Sequence, residues 1–175
     1  MTIRMTVKSA TNAVVRALAA ASATQEDTDL LDTLKSEHDE VKGLLEDLAE
    51  ADTAARRRAL VLQIKGALVP HTKAEQKVLY DAIIAVRDKE VQVDGHEGYL
   101  EHELADKALA RLGSISNAIS PEHKAAAKVL KELVEHHIKE EERNVWADAR
   151  KHFSAQQRAR MNTAYLAAKS RVKLR

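Results

Sequence analysis

The segment "LVEHHIKEEERNVW", residues 133–146, sets two adjacent histidines one helical turn ahead of three adjacent glutamates, with apolar residues on both sides. Side chains four apart on a helix share a face, so His137 and Glu141 would offer a nitrogen and an oxygen to the same point. The segment "HTKAEQKVLY", residues 71–80, repeats the pair as His71 and Glu75. Such groups on an otherwise apolar face are costly to bury unless a cation or a complete hydrogen-bond network satisfies them. The chain has no cysteine, which excludes disulfides, thiolate ligands and a Cys nucleophile. Histidine and carboxylate remain as metal donors, a hard oxygen and imidazole set.

An internal repeat enlarges the group. "SEHDEVKGLLEDL" followed by "HTKAEQKVLY" is echoed by "LEHELADKALARL" followed by "HHIKEEERNVW". His38 then matches His102, His71 matches His137, and Glu75 matches Glu141. In antiparallel helices, residues at one height are equidistant in sequence from the turn between them, because every helix rises about 1.5 Å per residue. The positions 38 and 71 average to 54.5, 71 and 102 to 86.5, and 102 and 137 to 119.5. Each midpoint falls at a predicted helix connection, so all four histidines can share one level. The expected site is therefore His38, His71, Glu75, His102, His137 and Glu141: four imidazoles and two carboxylates. Two carboxylates between two cations can bridge them and offset their charge, which suits a pair of iron or manganese ions.

The elements that must position these residues are helical. The 175 residues suit one domain, and the five Gly, two Pro and 3% aromatic content accompany a supply of Ala, Leu, Lys, Glu and Arg. The class is all-α, an antiparallel up-down-up-down four-helix bundle over 28–153, with an N-terminal arm over 1–27 and an extra C-terminal helix over 154–175. Thr28 or Asp29 should cap the first helix, whose stripe is Leu31, Leu34, His38, Val41, Leu45 and Leu48. A turn in "EADTAA" leads to the second, which runs toward Val86 and is kinked or broken at Pro70. "RDKEVQVDGHEG" reads as a loop, with the third helix from about Gly98 to Leu112. Ser120 and Pro121 open the fourth, along the ladder Val129, Leu133, His137, Glu141 and Val145. Ser154 and Gln157 form a capping box for the fifth, to about Val172.

Lys and Arg total 28 and Asp and Glu 27, so no single-sign field attracts nucleic acid. The opening "MTIRMTVKSATNAVVRALAAASA" is basic and then moderately apolar, but Arg16 interrupts a run too short to span a bilayer. It reads as an arm rather than a targeting segment, and the expected setting is cytoplasmic, away from membranes. His96, His123 and His152 read as solvent-exposed, and so do Glu140 and Glu142. His136 points about 100° away from His137 and reads as surface or supporting. Trp146, Leu79 and Tyr80 read as core, and the terminal "KSRVKLR" as a solvated helix end.

The order "EH", "H-x-x-x-E…LY", "EH", "HHIKEEE" resembles the hemerythrin-like, or HHE cation-binding, domain family over residues about 28 to 150. The resemblance implies a non-heme di-iron centre in a four-helix bundle, with Glu75 and Glu141 as the bridges, and zinc or manganese as possible substitutes for iron. Oxygen carriers of that family have a further histidine one turn after the third-helix ligand. Here that position is Asp106, and a carboxylate, Asp106 or Glu97, is expected to replace it. The replacement favours the ferric state over reversible O2 binding. The resemblance thus implies a protein that binds, stores or senses oxygen or iron in a redox-linked way, or else an enzyme decomposing peroxide or reducing nitric oxide. O2, peroxide or another small diatomic molecule is the expected partner; oligomeric state is left open.

Overall fold

The computed structural model describes residues 28–174, so the expected arm over 1–27 lies outside the described residues. These form helices α1 (Leu30–Glu50), α2 (Ala54–Glu75), a π-helical turn π1 (Gln76–Tyr80), α3 (Asp81–Ile84), α4 (Lys89–Ser114), α5 (Pro121–Glu140), a second turn π2 (Glu141–Val145), α6 (Trp146–His152) and α7 (Ala155–Lys169). The runs α2–π1–α3 and α5–π2–α6 are each one continuous rod. With α1 and α4 they make four rods, each packed against its neighbours in sequence, and α1 against α5 closes the ring. The fifth helix, α7, lies on α1, α2 and π1. No helix among the described residues is long and apolar enough to cross a membrane.

Local chemistry sets the ends. Asp29 caps α1 by accepting from the Leu31 N–H, and Thr53 caps α2 by accepting from Arg56. Ser120 caps α5 ahead of Pro121, and the Ser154–Gln157 capping box opens α7. Arg57, buried in the first turn of α2, donates to the carbonyls of Leu48 and Ala51 at the far end of α1, which closes the first connection. His123, expected in solvent, is buried and accepts from the same guanidinium through Nδ1 at 3.3 Å.

Two other expectations are corrected. α2 does not break at Pro70: the α-helix runs on to Glu75, and a widened turn follows it. Proline removes one hydrogen bond, which a rod buried on both sides of it at Leu68 and Ala74 can tolerate. The expected loop "RDKEVQVDGHEG" is mostly helix, capped by Asp88. Its glycines are not turn residues: a Cβ on Gly95 would lie 2.7 Å from Ile84 Cγ1, and one on Gly98 would lie 2.4 Å from Tyr80 Cζ. They permit close approach of α4 to the second rod.

The core is in two layers. Leu45, Leu48, Leu60, Ile64, Leu112 and Leu130 belong to one cluster, and Leu30, Leu34, Leu79, Ile83, Trp146 and Tyr165 to the other. His38, His71, His102 and His137, with Glu75 and Glu141, lie between them. On α5 the inward residues are His123, Ala127, Leu130, Val134, His137 and Ile138; Val129, at the start of the expected ladder, is 51% exposed. Steps of four advance 400°, so a strict ladder rolls off the buried face by about 40° each time.

Candidate metal centre

The six expected side chains come together between the two apolar layers. Each is at most 5% exposed. Glu75 Oε2 lies 3.3 Å from His71 Nε2 and 3.4 Å from His102 Nε2. Glu141 Oε2 lies 3.3 Å from His137 Nε2 and 3.4 Å from His38 Nε2. His38 and His71 pair with ring centroids 5.1 Å apart, and His102 and His137 with centroids 4.5 Å apart and Nε2 atoms 3.0 Å apart. Potential ligand atoms of His38, His71 and Glu75 all lie within 4.8 Å of one another, and so do those of Glu75, His102 and His137. Each carboxylate thus stands between one histidine of each pair.

These groups fit metal better than they fit each other. His38 Nε2, both Glu75 oxygens and Glu141 Oε2 are buried without hydrogen-bond partners among the described residues. Orphaned buried polar atoms cost roughly 1–3 kcal/mol each, and a convergent set of them with imidazole and carboxylate chemistry suits one or two divalent or trivalent cations. Both rods that carry a His-x-x-x-Glu unit widen into a π turn directly at or after the glutamate. Such turns occur often at functional sites, where the added residue re-aims the side chains that follow.

Sequence reasoning matched the histidines of the repeat but not the carboxylates that hold them. His71 Nδ1 lies 3.0 Å from Glu37, His137 Nδ1 2.8 Å from Glu101, and His38 Nδ1 3.1 Å from Glu142. Glu37 and Glu101 immediately precede His38 and His102, so the "EH" pairs already carried the signal: each glutamate serves the histidine of the next rod. Glu142, expected in solvent, is a corrected assignment. Tyr165 of α7 donates to Glu37 at 2.5 Å, and Lys169 pairs with the same carboxylate at 2.7 Å. His102 Nδ1 has no partner among the described residues, and the repeat explains why: the counterpart of Glu142 is Gln76.

Electrostatics follow this wiring. Burial would push His71 and His137 down, but Glu75 and Glu37 raise His71 to about 9, and Glu101 and Glu141 raise His137 to about 10. His38 is raised despite its burial, through Glu141 and Glu142. His102 is lowered, by burial and the charge of His137 against the pull of Glu75. Burial and the charge of Glu141 would raise Glu75, yet His71 and His102 hold it below its usual range; His137 and His38 hold Glu141 well below. Glu37, although burial would raise it, is brought down to about 2 by His71, Lys169 and Tyr165.

Neither residue expected to replace the further histidine belongs to the two groups of potential metal donors found among the described residues. Asp106 pairs with Lys73 Nζ at 2.7 Å and lines a groove between α2 and α4, while Glu97 is exposed. Glu97 does line a narrow cleft with Asp94, Glu101 and Glu140 that reaches Tyr80 and Glu141, with about 10 Å³ open to the centre of a water-sized sphere. Tyr80 and Trp146 are core, as expected, and both also flank the centre: Trp146 stacks on His38 at 5.6 Å and donates to Glu141 Oε1, and Tyr80 lies 5.3 Å from the His102 ring. His96 is exposed, His152 half-buried, and His136, 63% exposed, touches only Glu101 near the centre.

The family description "Hemerythrin HHE cation binding domain" matches residues 29–159. A protein of Nostoc sp. (strain PCC 7120) named as a DNA nickase is 28% identical over 151 residues, 86% of this chain and 42% of that protein. The chain therefore spans less than half the length of that relative. No solved structure matches the chain.

Proposed function

We propose, since the chain belongs to the hemerythrin HHE cation-binding domain family, that its centre holds two iron ions and that the protein binds, stores or senses oxygen or iron according to redox state. The observation that carries this reading is the position of the two glutamates, each between a histidine of one pair and a histidine of the other. His38 and His71 would hold one ion, His102 and His137 the other, and Glu75 and Glu141 would bridge them. The iron pair would supply electron transfer to or from a small oxidant. The chain supplies the rest. Glu142, Glu37 and Glu101 accept the Nδ1 protons of His38, His71 and His137, which fixes the rings with Nε2 inward and raises their basicity. The apolar layers keep bulk water away.

The alternative is an enzyme that decomposes peroxide or reduces nitric oxide. The cleft is the reason to keep it, because Glu141 lines it and its small volume admits O2, peroxide or nitric oxide rather than a larger substrate. The DNA-nicking activity named for the Nostoc protein is not carried over. Asp94, Glu97, Glu101 and Glu140 surround the way to Glu141 and would repel a phosphate backbone.

Iron analysis of protein made in iron-supplemented medium tests the reading, and two irons per chain is the expected result. Trace iron after reconstitution would overturn it. Zinc in their place would leave the centre standing, because divalent affinity at such donors favours zinc over ferrous iron. Steady O2 release from added peroxide would move the reading from storage to enzyme.

A further inference from the structure

The two halves of the centre have unequal neighbours. The position that lacks a further histidine lies one turn after His102, on the half that His102 and His137 form. Asp106, which occupies that position, pairs one oxygen with Lys73; its other oxygen is buried without a hydrogen-bond partner among the described residues, in a side chain that lines the outer groove. Glu97 is in solvent. Tyr80, in contrast, is fully buried on this half, with its ring 5.3 Å from that of His102. Its hydroxyl makes no hydrogen bond of good geometry among the described residues, although the Glu141 carboxylate is near enough to act on it and both residues line the cleft.

The repeat sharpens the comparison. Tyr80 stands five residues after Glu75, and Trp146 stands five after Glu141. Trp146 is satisfied, because its indole N–H donates to Glu141 Oε1 at 3.2 Å. An indole N–H is a donor only, whereas a phenol oxygen can also give electron pairs to a cation. The half that lacks the further histidine therefore has the aromatic residue able to bind metal. Room for it is built into α4: a Cβ on Gly98 would lie 2.7 Å from the Tyr80 hydroxyl and from Cε1, and 2.4 Å from Cζ. Any side chain at 98 would push the ring away.

We propose that Tyr80 is a metal ligand, its phenolate oxygen binding the ion held by His102 and His137 in place of the missing imidazole. The proposal rests on the reading of the centre as a metal pair. Coordination breaks the O–H bond as the metal–oxygen bond forms; the proton passes to solvent and no electron is transferred. A hard anionic oxygen suits ferric iron, so the ligand would hold the oxidised state.

Ferric tyrosinate has a visible charge-transfer absorption, and Raman excitation within it enhances the tyrosinate ring modes. The iron-loaded, oxidised protein should show both. Tyr80→Phe should abolish them while iron content stays near that of the wild type, and Tyr99→Phe, which removes a phenol bonded to the Gln76 carbonyl and Asp81, should keep them. Should Tyr80→Phe fold poorly, titration of the wild-type apo protein with zinc at neutral pH gives a second readout, a tyrosinate difference spectrum in the ultraviolet. Two irons with no tyrosinate modes, modes that survive Tyr80→Phe, or zinc uptake with no tyrosinate signal would overturn the proposal and leave the metal pair intact. Failure to bind any metal would overturn both.

Discussion

Each of His38, His71 and His137 faces a carboxylate through Nδ1, and these carboxylates are where single substitutions should tell most. Glu142→Gln removes the negative charge behind His38 and should weaken metal binding by roughly 10–100-fold, the usual effect of losing such a partner. His136→Ala, at an exposed neighbour of His137, should change it little. Chelator competition on both variants checks the contrast; equal affinities would show that Glu142 has no supporting role. The pH dependence has a fixed sign. His71 and His137, raised from 6.5 to about 9 and about 10, stabilise the apo fold fully below pH 6.5, and that contribution is lost as pH rises through 9 and 10. Glu37, lowered to about 2, contributes above its ordinary 4.5 and loses this as pH falls toward 2. Metal competes for the same imidazole lone pairs, so zinc uptake at pH 7 should release protons and strengthen with rising pH. Calorimetry in two buffers of different ionisation enthalpy measures the release; identical heats would contradict it. The six convergent residues were legible because the repeat and the 3.6-residue period place them together. Glu37 and Glu101 were not: one position from His38 or His102 is 100° around the helix, and only the length of a glutamate carries its carboxylate to the next rod.

At the scale of elements, helix starts were legible where Asp29, Ser120 and Ser154 cap as their side-chain oxygens dictate. The start of α4 was not, because glycine serves two ends: conformational freedom in a turn, and close packing in a helix. Only the neighbouring rod distinguishes them. The π turns were also hidden, since no residue type marks an extra residue in a rod whose apolar stripe simply shifts. Gly98→Ala should destabilise the protein by about 1–3 kcal/mol, because the added methyl overpacks Tyr80. Gly43→Ala, in α1 with nothing within 4 Å of its Cβ position, should instead stabilise it by about 0.5–1 kcal/mol. Chemical denaturation of the two variants reads both signs. A stabilised Gly98→Ala would mean that α4 and Tyr80 do not meet closely.

The described residues form a bundle whose apolar core is interrupted at mid-height. Leu45, Leu60 and Leu130 lie on one side of the histidine layer, and Leu34, Leu79 and Trp146 on the other. The fifth helix belongs to the second side and reaches the layer through Tyr165 and Lys169 at Glu37. Its existence was legible from the capping box, but its contact with the centre depends on where a separate helix docks, which no local pattern encodes. The interruption has a consequence for how the protein comes apart. Without metal, the two apolar layers are joined through a sheet of titratable groups with several unpartnered atoms, so each layer can open by itself. Hydrogen exchange of the apo protein should therefore resolve two cooperative units, one around Leu60 and Leu130 and one around Leu79 and Tyr165, with different opening free energies. Zinc should merge them into a single unit, because a cation joined to all four rods acts as a rivet through the weak plane. Exchange that is already uniform in the apo protein would show that backbone continuity alone couples the layers. A bound ion would then set how cooperatively the bundle unfolds as well as how stable it is, and limited proteolysis would report metal occupancy as an all-or-none change.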